Sequence, residues 1–600
     1  MNKCVFLIQR FDNYWLKILI FSLLAVCLLT QTAQSQSTHT FPRIAVQHFG
    51  KAPPDWYARF DMVIVPRANA SEARSIKALN PNCYVIFTDE WSSNTKGMKR
   101  RNQLPDAWLA RDSKGNIIDL SWGKLIDMSI LCPKVKGKAY YEDHPQWLVN
   151  YTDLSVFDGI GSDWCWGKPH GIKDIDLDRN GVNDFDEHGK NWVESKWLDG
   201  VLAFIANLRK HIGQDKLIWV NSGQFQRWGW EYANGLELER YSGILGWDFY
   251  IRTYKNFMKQ APKPQILLMD VRPWGSDNNL VRPTKNYLKL MRFMLTATLL
   301  GDGYFNFNPV EAGEHHYHSY YDEFDVNLGY PTSEALELSN GCWVRFYDNG
   351  VSITNPTGRT KVVDDGALRS VSGYDGPYYR FLGGQDPQFN NGQKFTSVEL
   401  FGTSQRKGGQ DLITGDGIIL LREQKIVIAD IIIDNLEFNT TPTQKPAKFV
   451  GNWQQVDQGR DYFAQNNRSR ENWYPHAYIN GGNGSQTATF KPNIRVPGEY
   501  EVLEWHGYII ENQMAQDVTY TIYHKNGQKV VKVDQSKNQG RWNSLGVYSF
   551  DNGQSGKVVI SNKANGLVVA DAITFRYNAG GKRVEVPAPP TGVKVEVSAN

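Results

Sequence analysis

The sequence predicts a multidomain protein in which a (β/α)8 TIM barrel is followed by two β-sandwich domains. From residue 42 to residue 335, short runs of β-branched or aromatic residues alternate with longer helical segments, as is typical of parallel βαβ units. After that point, strand-like runs follow one another without helical segments. The chain has 600 residues. Since one domain usually has about 100 to 250 residues, we expect several packed cores.

The barrel is predicted at residues 42–335. Eight strands within about 290 residues is the size of a TIM barrel. The candidate strands are residues 43–48, 62–67, 84–88, 159–163, 217–221, 235–239, 266–270 and 304–308. The clearest helical segments between them are residues 192–211, 247–260 and 286–300.

The two β-sandwich domains are predicted at residues 336–440 and 441–580. Residues 342–354 form two strand-like runs around an Asp-Asn-Gly sequence, which is the turn chemistry of a tight hairpin. A segment rich in proline and threonine marks the joint between the two domains. Residues 581–600 contain VPAPP and are predicted to be a linker.

The first 35 residues are predicted to be a signal peptide. Basic residues precede a short apolar run at residues 18–29, and small and polar residues follow it. That run is too short for a stable transmembrane helix, so we expect no transmembrane segment after signal removal. Cleavage near Ala33 would give a secreted, periplasmic or cell-surface protein. A lipoprotein site at Cys27 is the alternative, which the bulk of Val26 disfavours.

Composition excludes several classes of function. The net charge of +3 comes from nearly balanced acids and bases without a long basic run, so we expect no nucleic-acid partner. Walker, dinucleotide-binding and GxSxG motifs are not found, which argues against nucleotide and serine-hydrolase chemistry. The cysteines of the mature chain lack metal-ligand spacing and are interpreted as buried thiols or at most one disulfide.

Carboxylates at the carboxyl ends of the strands are the candidate reactive groups, because that end carries the chemistry of barrel enzymes. The period of two places Gly159, Gly161 and Asp163 on one face of a strand, so that small residues leave room beneath an acid at the rim. In the later strand, Glu237 and Glu239 both face the barrel axis, and Glu239 lies nearer the rim.

Two carboxyl groups on either side of the scissile bond are what glycoside hydrolysis usually needs. The hypothesis is that Asp163 is the nucleophile and Glu239 the general acid/base. Glu237 is the reserve acid, because it should lie deeper in the barrel. The alternative is that these acids are structural partners in salt bridges.

Other polar and aromatic residues at strand ends are predicted to bind the substrate. Few convergent polar groups suffice to orient a polyol, and aromatic faces suit sugar rings. Within the run Asp89-Glu90-Trp91, adjacent residues point to opposite sides of the strand. The predicted substrate-binding residues are Arg67, Asp89, Glu90, Trp91, Trp164, Asn221, Asp270, Arg272, Asn306 and Asn308.

A calcium loop is predicted shortly after the fourth strand. Residues 176–187 fit the twelve-residue spacing D-x-D-x-N-G-x5-E, with Gly181 at the sharp turn. A single loop favours a fixed structural ion over calcium sensing, and an acidic surface turn without metal is the alternative. The predicted ligands are Asp176, Asp178, Asn180, the carbonyl of Val182, Asp184 and Glu187.

Residues 43–435 resemble a family of glycoside hydrolase barrels that is distantly similar to the α-galactosidase superfamily. The resemblance rests on DGIGSDW, NGLELER, GDGYFNFNP, DEFDVNLGYP and WVRFYDNGVSITNPTG. It implies a nucleophile on strand four and an acid on strand six, which fall here on Asp163 and Glu239, and a β domain behind the barrel.

Residues 449–577 resemble the golvesin and xanthan-lyase type of β-sandwich, which is similar to carbohydrate-binding domains. The motifs are GNWQQV, PGEYEVLEWHG and VVADAITF. The resemblance implies a carbohydrate-binding domain at residues 441–580.

The leading hypothesis is therefore a secreted glycoside hydrolase that cleaves a poly- or oligosaccharide. A non-catalytic glycan-binding protein is the first alternative, and a polysaccharide lyase is the second. A lyase would leave an unsaturated product that absorbs ultraviolet light, whereas a hydrolase would not.

Overall fold

The structure is a computed structural model, and it describes most of the chain in segments. Residues outside these segments include the predicted signal peptide, the predicted linker and the lipoprotein alternative at Cys27. The described residues are 39–47, 52–66, 68–163, 165–222, 229–241, 243–272, 285–308, 320–407, 409–436, 440–456, 476–507 and 513–578.

A parallel sheet of eight strands forms the N-terminal domain within the described part of the chain. The strands neighbour one another in chain order, and a parallel bridge between Ile44 and Phe305 joins the first strand to the last, so the sheet is nearly closed. This confirms the predicted barrel and all eight of its candidate strands. The barrel strands 1 to 8 are Ala45–Gln47, Met62–Val65, Tyr84–Asp89, Gly159–Ser162, Leu217–Asn221, Gly235–Tyr241, Leu268–Val271 and Tyr304–Phe307.

Helices lie outside the barrel and pack on the outward-facing strand residues. The helix Lys190–Ile212 buries Val201, Phe204 and Ile205 in the same core as Leu236 of strand 6. The predicted helices therefore exist with nearly the predicted bounds. The α-helices are Pro54–Tyr57, Ala70–Leu79, Tyr140–Tyr151, Asp184–Glu187, Lys190–Ile212, Trp247–Gln260, Lys285–Leu299 and Asp365–Arg369, and the 3-10 helices are Arg101–Gln103, Asp106–Trp108 and Asp322–Asp325.

A second, smaller core fills the inside of the barrel below its rim. It contains Met62, Ile64, Ile86, Trp219 and Leu268, which come from strands 2, 3, 5 and 7. Since side chains alternate along a strand, the residues two positions further along these strands point to the axis nearer the carboxyl end. The inner core therefore sets which side chains line the rim.

The second domain packs its main sheet against the barrel helix Lys285–Leu299. The predicted hairpin is confirmed as Trp343–Tyr347 and Gly350–Thr354. Arg292 of the helix donates from Nε and Nη2 to the two carboxylate oxygens of Asp416, at 2.8 and 3.0 Å, which fixes the domain to the barrel. The strands of this domain are Leu336–Glu337, Trp343–Tyr347, Gly350–Thr354, Lys361–Asp364, Ser397–Leu400, Gly402–Lys407, Gln410–Gly415 and Gly417–Leu421.

The third domain is a sandwich of antiparallel sheets around its own apolar core. It begins earlier than predicted, because Ile431–Asp434 pairs with Ala572–Tyr577. The boundary near residue 440 is therefore wrong, since long-range pairing assigns this strand to the last sheet. The strands are Ile431–Asp434, Lys448–Val450, Gln454–Val456, His476–Ile479, Thr487–Phe490, Gly498–Trp505, Val518–His524, Gly527–Val533, Trp542–Phe550, Lys557–Ser561, Val568–Ala570 and Ala572–Tyr577.

Two further expectations can be compared with the described residues. The four cysteines of the described residues are buried free thiols, namely Cys83, Cys132, Cys165 and Cys342. The sequence had allowed at most one disulfide as an alternative, and these four residues do not form it. In the described part of the chain, we find no helix that is long and apolar enough to cross a membrane.

Candidate active site

The position of Asp163 at the rim follows from glycines in strand 4. A Cβ on Gly159 would lie 2.7 Å from the Cβ of Leu217, and a Cβ on Gly161 would lie 2.5 Å from the indole of Trp219. The predicted space beneath Asp163 is therefore filled by side chains of strand 5. The fully buried Trp219 forms a rigid floor, and Asp163 follows the strand directly above it.

Asp163 and Glu239 lie close together and share one hydrogen-bond donor. Nδ2 of Asn221 donates to Oδ1 of Asp163 at 3.0 Å and to Oε2 of Glu239 at 2.9 Å. Asn221 ends strand 5, between the strands that carry the two acids. The structure thus brings together both residues that the sequence proposed as the reacting pair.

Strands 7 and 8 add polar groups on the other side of Glu239. Nη2 of Arg272 lies 2.8 Å from Oδ2 of Asp270 and 3.8 Å from Oε1 of Glu239. Nδ2 of Asn306 donates to Oδ1 of Asp270 at 2.7 Å. Asp270 therefore positions Arg272, and Arg272 extends along the rim towards Glu239.

Glu237 lies one layer deeper than Glu239, as expected for the reserve acid. It is fully buried and pairs in register with Asn221 on one side and Leu268 on the other. Burial raises its pKa well above the ordinary value, and the charges of Glu239, Asp270 and Asp163 raise it further. Its surroundings therefore favour the neutral form of the Glu237 carboxyl group.

The carboxyl group of Asp163 also has a raised pKa, of about 7. Burial is the largest cause, and the negative charge of Glu239 is the second. The hydrogen bond from Asn221 acts in the opposite direction but does not offset them. Asp163 therefore takes up a proton as the pH falls through about 7, and its titration depends on the charge of Glu239.

In the run after strand 3, one predicted residue faces the site and two do not. Glu90 lies four residues after the inward-facing Ile86 and therefore continues the inward face of the strand. Its negative charge raises the pKa of Asp163. Asp89 accepts a hydrogen bond from the backbone N–H of Lys99, and Trp91 is fully buried with its ring 4.8 Å from that of Phe204. The structure therefore does not bring Asp89 and Trp91 to Asp163, and their role in substrate binding stays a prediction.

Other predicted residues lie at the rim or outside the described residues. Asn308 is fully buried directly after strand 8, and its backbone N–H donates to the carbonyl of Val271. Arg67 and Trp164 lie outside the described residues. Gln47, at the end of strand 1, was not predicted, although its alternation with the inward-facing Ala45 was a readable signal.

The predicted calcium loop folds so that several of its acids converge. Ligand atoms of Asp178, Asp184, Glu187 and His188 all lie within 4.8 Å of one another. The carboxylate of Asp176 instead accepts hydrogen bonds from the backbone N–H groups of residues 180 and 181. His188 was not predicted, because the loop spacing ends one residue before it.

The side chain of Asn180 forms hydrogen bonds with two acids and with the backbone in the exposed part of the loop. Nδ2 of Asn180 donates to Asp178 at 3.2 Å and to Glu187 at 2.7 Å, so its amide lies beside the cluster. Val182 is exposed, and its backbone N–H donates to Oδ1 of Asn180.

Two family models match the chain, one over most of the barrel and one over the third domain. Residues 76–351 match the family model described as Hypothetical glycosyl hydrolase family 15. Residues 431–577 match the model of the Golvesin C-terminal domain. The two resemblances predicted from the sequence are therefore confirmed. The second match starts at Ile431, which begins the first strand of the third domain.

A xanthan lyase from Bacillus sp. (strain GL1) is 38% identical over 101 residues. The aligned part covers 16% of this chain, and the chain spans a tenth of the length of that relative.

Two solved structures are similar at low identity. The glycoside hydrolase domain of PelA from Pseudomonas aeruginosa is 10% identical, with 45% of this chain and 95% of that chain covered and a TM-score of 0.29. An α-galactosidase from Geobacillus stearothermophilus is 8% identical, with 65% of this chain and 57% of that chain covered and a TM-score of 0.35.

Proposed function

We propose that the protein is a secreted glycoside hydrolase that cleaves a poly- or oligosaccharide, with Asp163 as nucleophile and Glu239 as general acid/base. The observation that carries the proposal is the shared donor, because one amide nitrogen of Asn221 binds both carboxylates. Two carboxyl groups held at a fixed separation at the rim of a barrel are the equipment that glycoside hydrolysis requires. The glycosyl hydrolase family match supports the same chemistry.

The spacing of the pair favours a retaining mechanism. Two oxygens that lie 3.0 and 2.9 Å from one nitrogen are closer together than the roughly 6.5 to 9.5 Å that separates the carboxyls of inverting enzymes. A water molecule therefore lacks room between these oxygens and a sugar carbon. In the first step Asp163 attacks the anomeric carbon while Glu239 protonates the leaving oxygen. In the second step Glu239 takes a proton from water, which attacks the same carbon and releases Asp163.

The reaction needs one proton on the pair, and it needs that proton on Glu239 when the glycosidic bond breaks. In the free protein, burial and the charge of Glu239 raise the pKa of Asp163 to about 7, so its carboxyl holds the proton. Positive charge develops at the anomeric carbon beside Asp163 in the transition state and favours its ionised form. The proposed mechanism therefore requires the proton to leave Asp163 before this carboxylate attacks the anomeric carbon.

The proposed substrate class follows from the groups around the pair. Arg272, Asp270 and Asn306 form a connected set of donors and acceptors, which suits the hydroxyl groups of a sugar. We propose that the third domain retains the glycan, in line with its match to the golvesin-type model. Secretion is proposed from the apolar run at residues 18–29.

The test is a screen of the purified protein against a panel of polysaccharides and oligosaccharides. New reducing ends and ultraviolet absorbance are measured together. We expect reducing ends without unsaturation, and we expect Asp163→Asn to lower the rate by at least about 10³-fold, because the nucleophile is lost. Asp158→Asn is the matched control, since Asp158 precedes the other end of the same strand and accepts a hydrogen bond from the N–H of Val85.

The alternatives give different results in the same screen. An unsaturated product would support a lyase, and glycan retention without cleavage in either protein would support a non-catalytic binding protein. Proton NMR of the first product formed gives its anomeric configuration. Retention supports the two-step mechanism, and inversion would exclude Asp163 as a covalent nucleophile.

A further inference from the structure

We propose that the loop at residues 176–187 binds one calcium ion and that this ion holds the segment after Asp163 in place. Three carboxylates, those of Asp178, Asp184 and Glu187, face one another in this loop. Oxygen ligands from a twelve-residue loop with glycine at the turn are those that calcium prefers. The proposal does not depend on the reaction assigned to the barrel.

A buried carboxylate oxygen points into the cluster without a hydrogen-bond partner. Asp184 is fully buried, and its Oδ2 accepts a hydrogen bond from the N–H of Leu177 at 2.6 Å. Its Oδ1 is also buried and accepts no hydrogen bond from the described residues. This oxygen lies 3.8 Å from Nε2 of His188, on the side of the other acids. Since a buried carboxylate oxygen without a hydrogen-bond donor is costly, a cation beside Oδ1 of Asp184 would stabilise the folded loop.

The remaining groups of the cluster fit the same ion. Oδ2 of Asp178 and Oε2 of Glu187 lie 3.5 and 3.6 Å from Nε2 of His188. Asn180 places its side-chain amide against both acids. Nδ2 of Asn180 faces the acids, and its Oδ1 accepts a hydrogen bond from the N–H of Val182, so the amide would have to turn before its oxygen and the carbonyl of Val182 could complete the predicted set of hard ligands. Nε2 of His188 lies within 3.8 Å of all three carboxylates, so the imidazole itself faces the position that we propose for the ion.

The loop is tied to the segment that follows strand 3. Nη2 of Arg179 donates to the carbonyl of Leu109 at 3.0 Å and contacts Oδ2 of Asp127 at 3.3 Å. The backbone N–H of Asp176 donates to the carbonyl of Arg111 at 2.9 Å. Ordering the loop therefore also orders part of the segment that begins with Glu90.

A second set of contacts joins the loop to the segment after Asp163. The helix Lys190–Ile212 starts three residues after the loop, and Nε1 of its Trp197 donates to the carbonyl of Trp166 at 3.0 Å. The backbone N–H of Cys165 donates to the carbonyl of Asn221 at 2.8 Å. The ion would thus stabilise the backbone that leads away from Asp163, through packing and not through contact with substrate.

Calcium titration of the chelator-treated full chain tests the proposal. Isothermal titration calorimetry should give one ion per chain, and Glu187→Gln should weaken the affinity at least about tenfold, because a charged ligand is lost. Asp184→Asn should do the same. Asp186→Asn is the matched control, since this acid lies in the same short helix and contacts Asn183 outside the cluster. It should change the affinity less than about twofold.

A second measurement uses the tryptophan beside the cluster. The ring of Trp192 lies 4.2 Å from the ring of His188, so a terbium ion in the site should show luminescence sensitised by this indole. Calcium should displace terbium, and Trp192→Phe should lower the emission without changing calcium affinity. Because Glu187 is partly exposed, its variant should fold even where Asp184→Asn does not.

The proposal is overturned in either of two ways. One is the absence of saturable calcium binding, with His188→Gln destabilising the protein, which would identify the imidazolium as the cation. The other is calcium binding that Glu187→Gln leaves unchanged, which would place the ion elsewhere.

Discussion

Two partly buried aspartates in this protein have opposite electrostatic surroundings. At the barrel rim, Asp163 faces Glu239 and shares one amide donor with it, and its pKa is raised to about 7. At the joint between the barrel and the third domain, Asp430 contacts the guanidinium groups of Arg59 and Arg576 at 2.8 and 2.9 Å. Burial raises the pKa of Asp430, but the two arginines lower it below the ordinary value.

The difference shows where the fold uses charge for stability and where it does not. At the joint, Arg59 and Arg576 neutralise the charge of Asp430. Removal of one partner from such an ion pair leaves an uncompensated charge between the domains, which is destabilising. The rim keeps its acids incompletely compensated, which destabilises the folded state and leaves them able to accept a proton or attack a carbon. Three experiments test this difference between the rim and the joint.

The largest effect is expected for Glu239→Gln. Loss of the general acid/base should lower the rate on a natural glycan by about 10²- to 10⁴-fold. A substrate with a good leaving group should lose less, because its first step needs no acid. In the wild-type protein, kcat/KM should fall as the pH rises through about 7, when the pair loses its last proton. The variant should lack this fall, because the carboxyl group that donates the proton is absent and Asp163 reacts only in its ionised form.

The measurement is the pH dependence of kcat/KM on both kinds of substrate. Glu231→Gln is the control, because Glu231 is an exposed acid that precedes the same strand. Equal losses on both substrates and an unchanged pH profile would show that Glu239 is not the acid.

The second prediction concerns stability, and the two aspartates should respond in opposite directions. At pH 8, Asp163→Asn should raise Tm by roughly 2 to 5 °C, because it removes a charge whose pKa is raised by folding. As the pH falls through about 7, Asp163 takes up a proton in the folded protein and this cost is relieved. The advantage of the variant should therefore shrink towards pH 4.

Asp430→Asn should lower Tm by roughly 2 to 6 °C at pH 8, because it leaves two guanidinium groups without their anion. The pKa of Asp430 is lowered in the folded protein, so its stabilisation is present above its unfolded pKa and is lost only at more acidic pH. The loss should hence persist at pH 5. Calorimetric scans at pH 8, 5 and 4 check both variants, and shifts of the same sign would break the comparison.

The smallest effect is expected for Glu237→Gln. Burial raises the pKa of Glu237 well above its ordinary value, and an amide of the same shape mimics the neutral form that burial favours. Activity should change less than about tenfold, and the fall in kcat/KM near pH 7 should remain. A loss as large as that of Glu239→Gln would instead make Glu237 one of the reacting acids.

The sequence was a good guide to the barrel, because its signals are local. The eight strand-like runs and the helix Trp247–Gln260 were readable from residue type and spacing. The strand Ile431–Asp434 was assigned to the wrong domain, because its partner Ala572–Tyr577 lies far along the chain.

For the candidate site, alternation along a strand identified the two acids but was not applied to every residue. It placed Asp163 and Glu239 on the barrel axis, and the structure brings them together. The same alternation places Asp89 and Trp91 on the outward face of their strand and adds Gln47, which residue type alone did not indicate.

The sequence by itself determined the order of strands, the inward face of each strand and the spacing of the calcium loop, since each depends on neighbouring residues. Only the tertiary structure decided that Asn221 binds both acids, that Asp163 has a pKa of about 7 and that His188 joins the acidic cluster. The physical reason is that hydrogen bonding, burial and charge interactions depend on distances in space. Residues 163, 221 and 239 become neighbours only when the barrel closes.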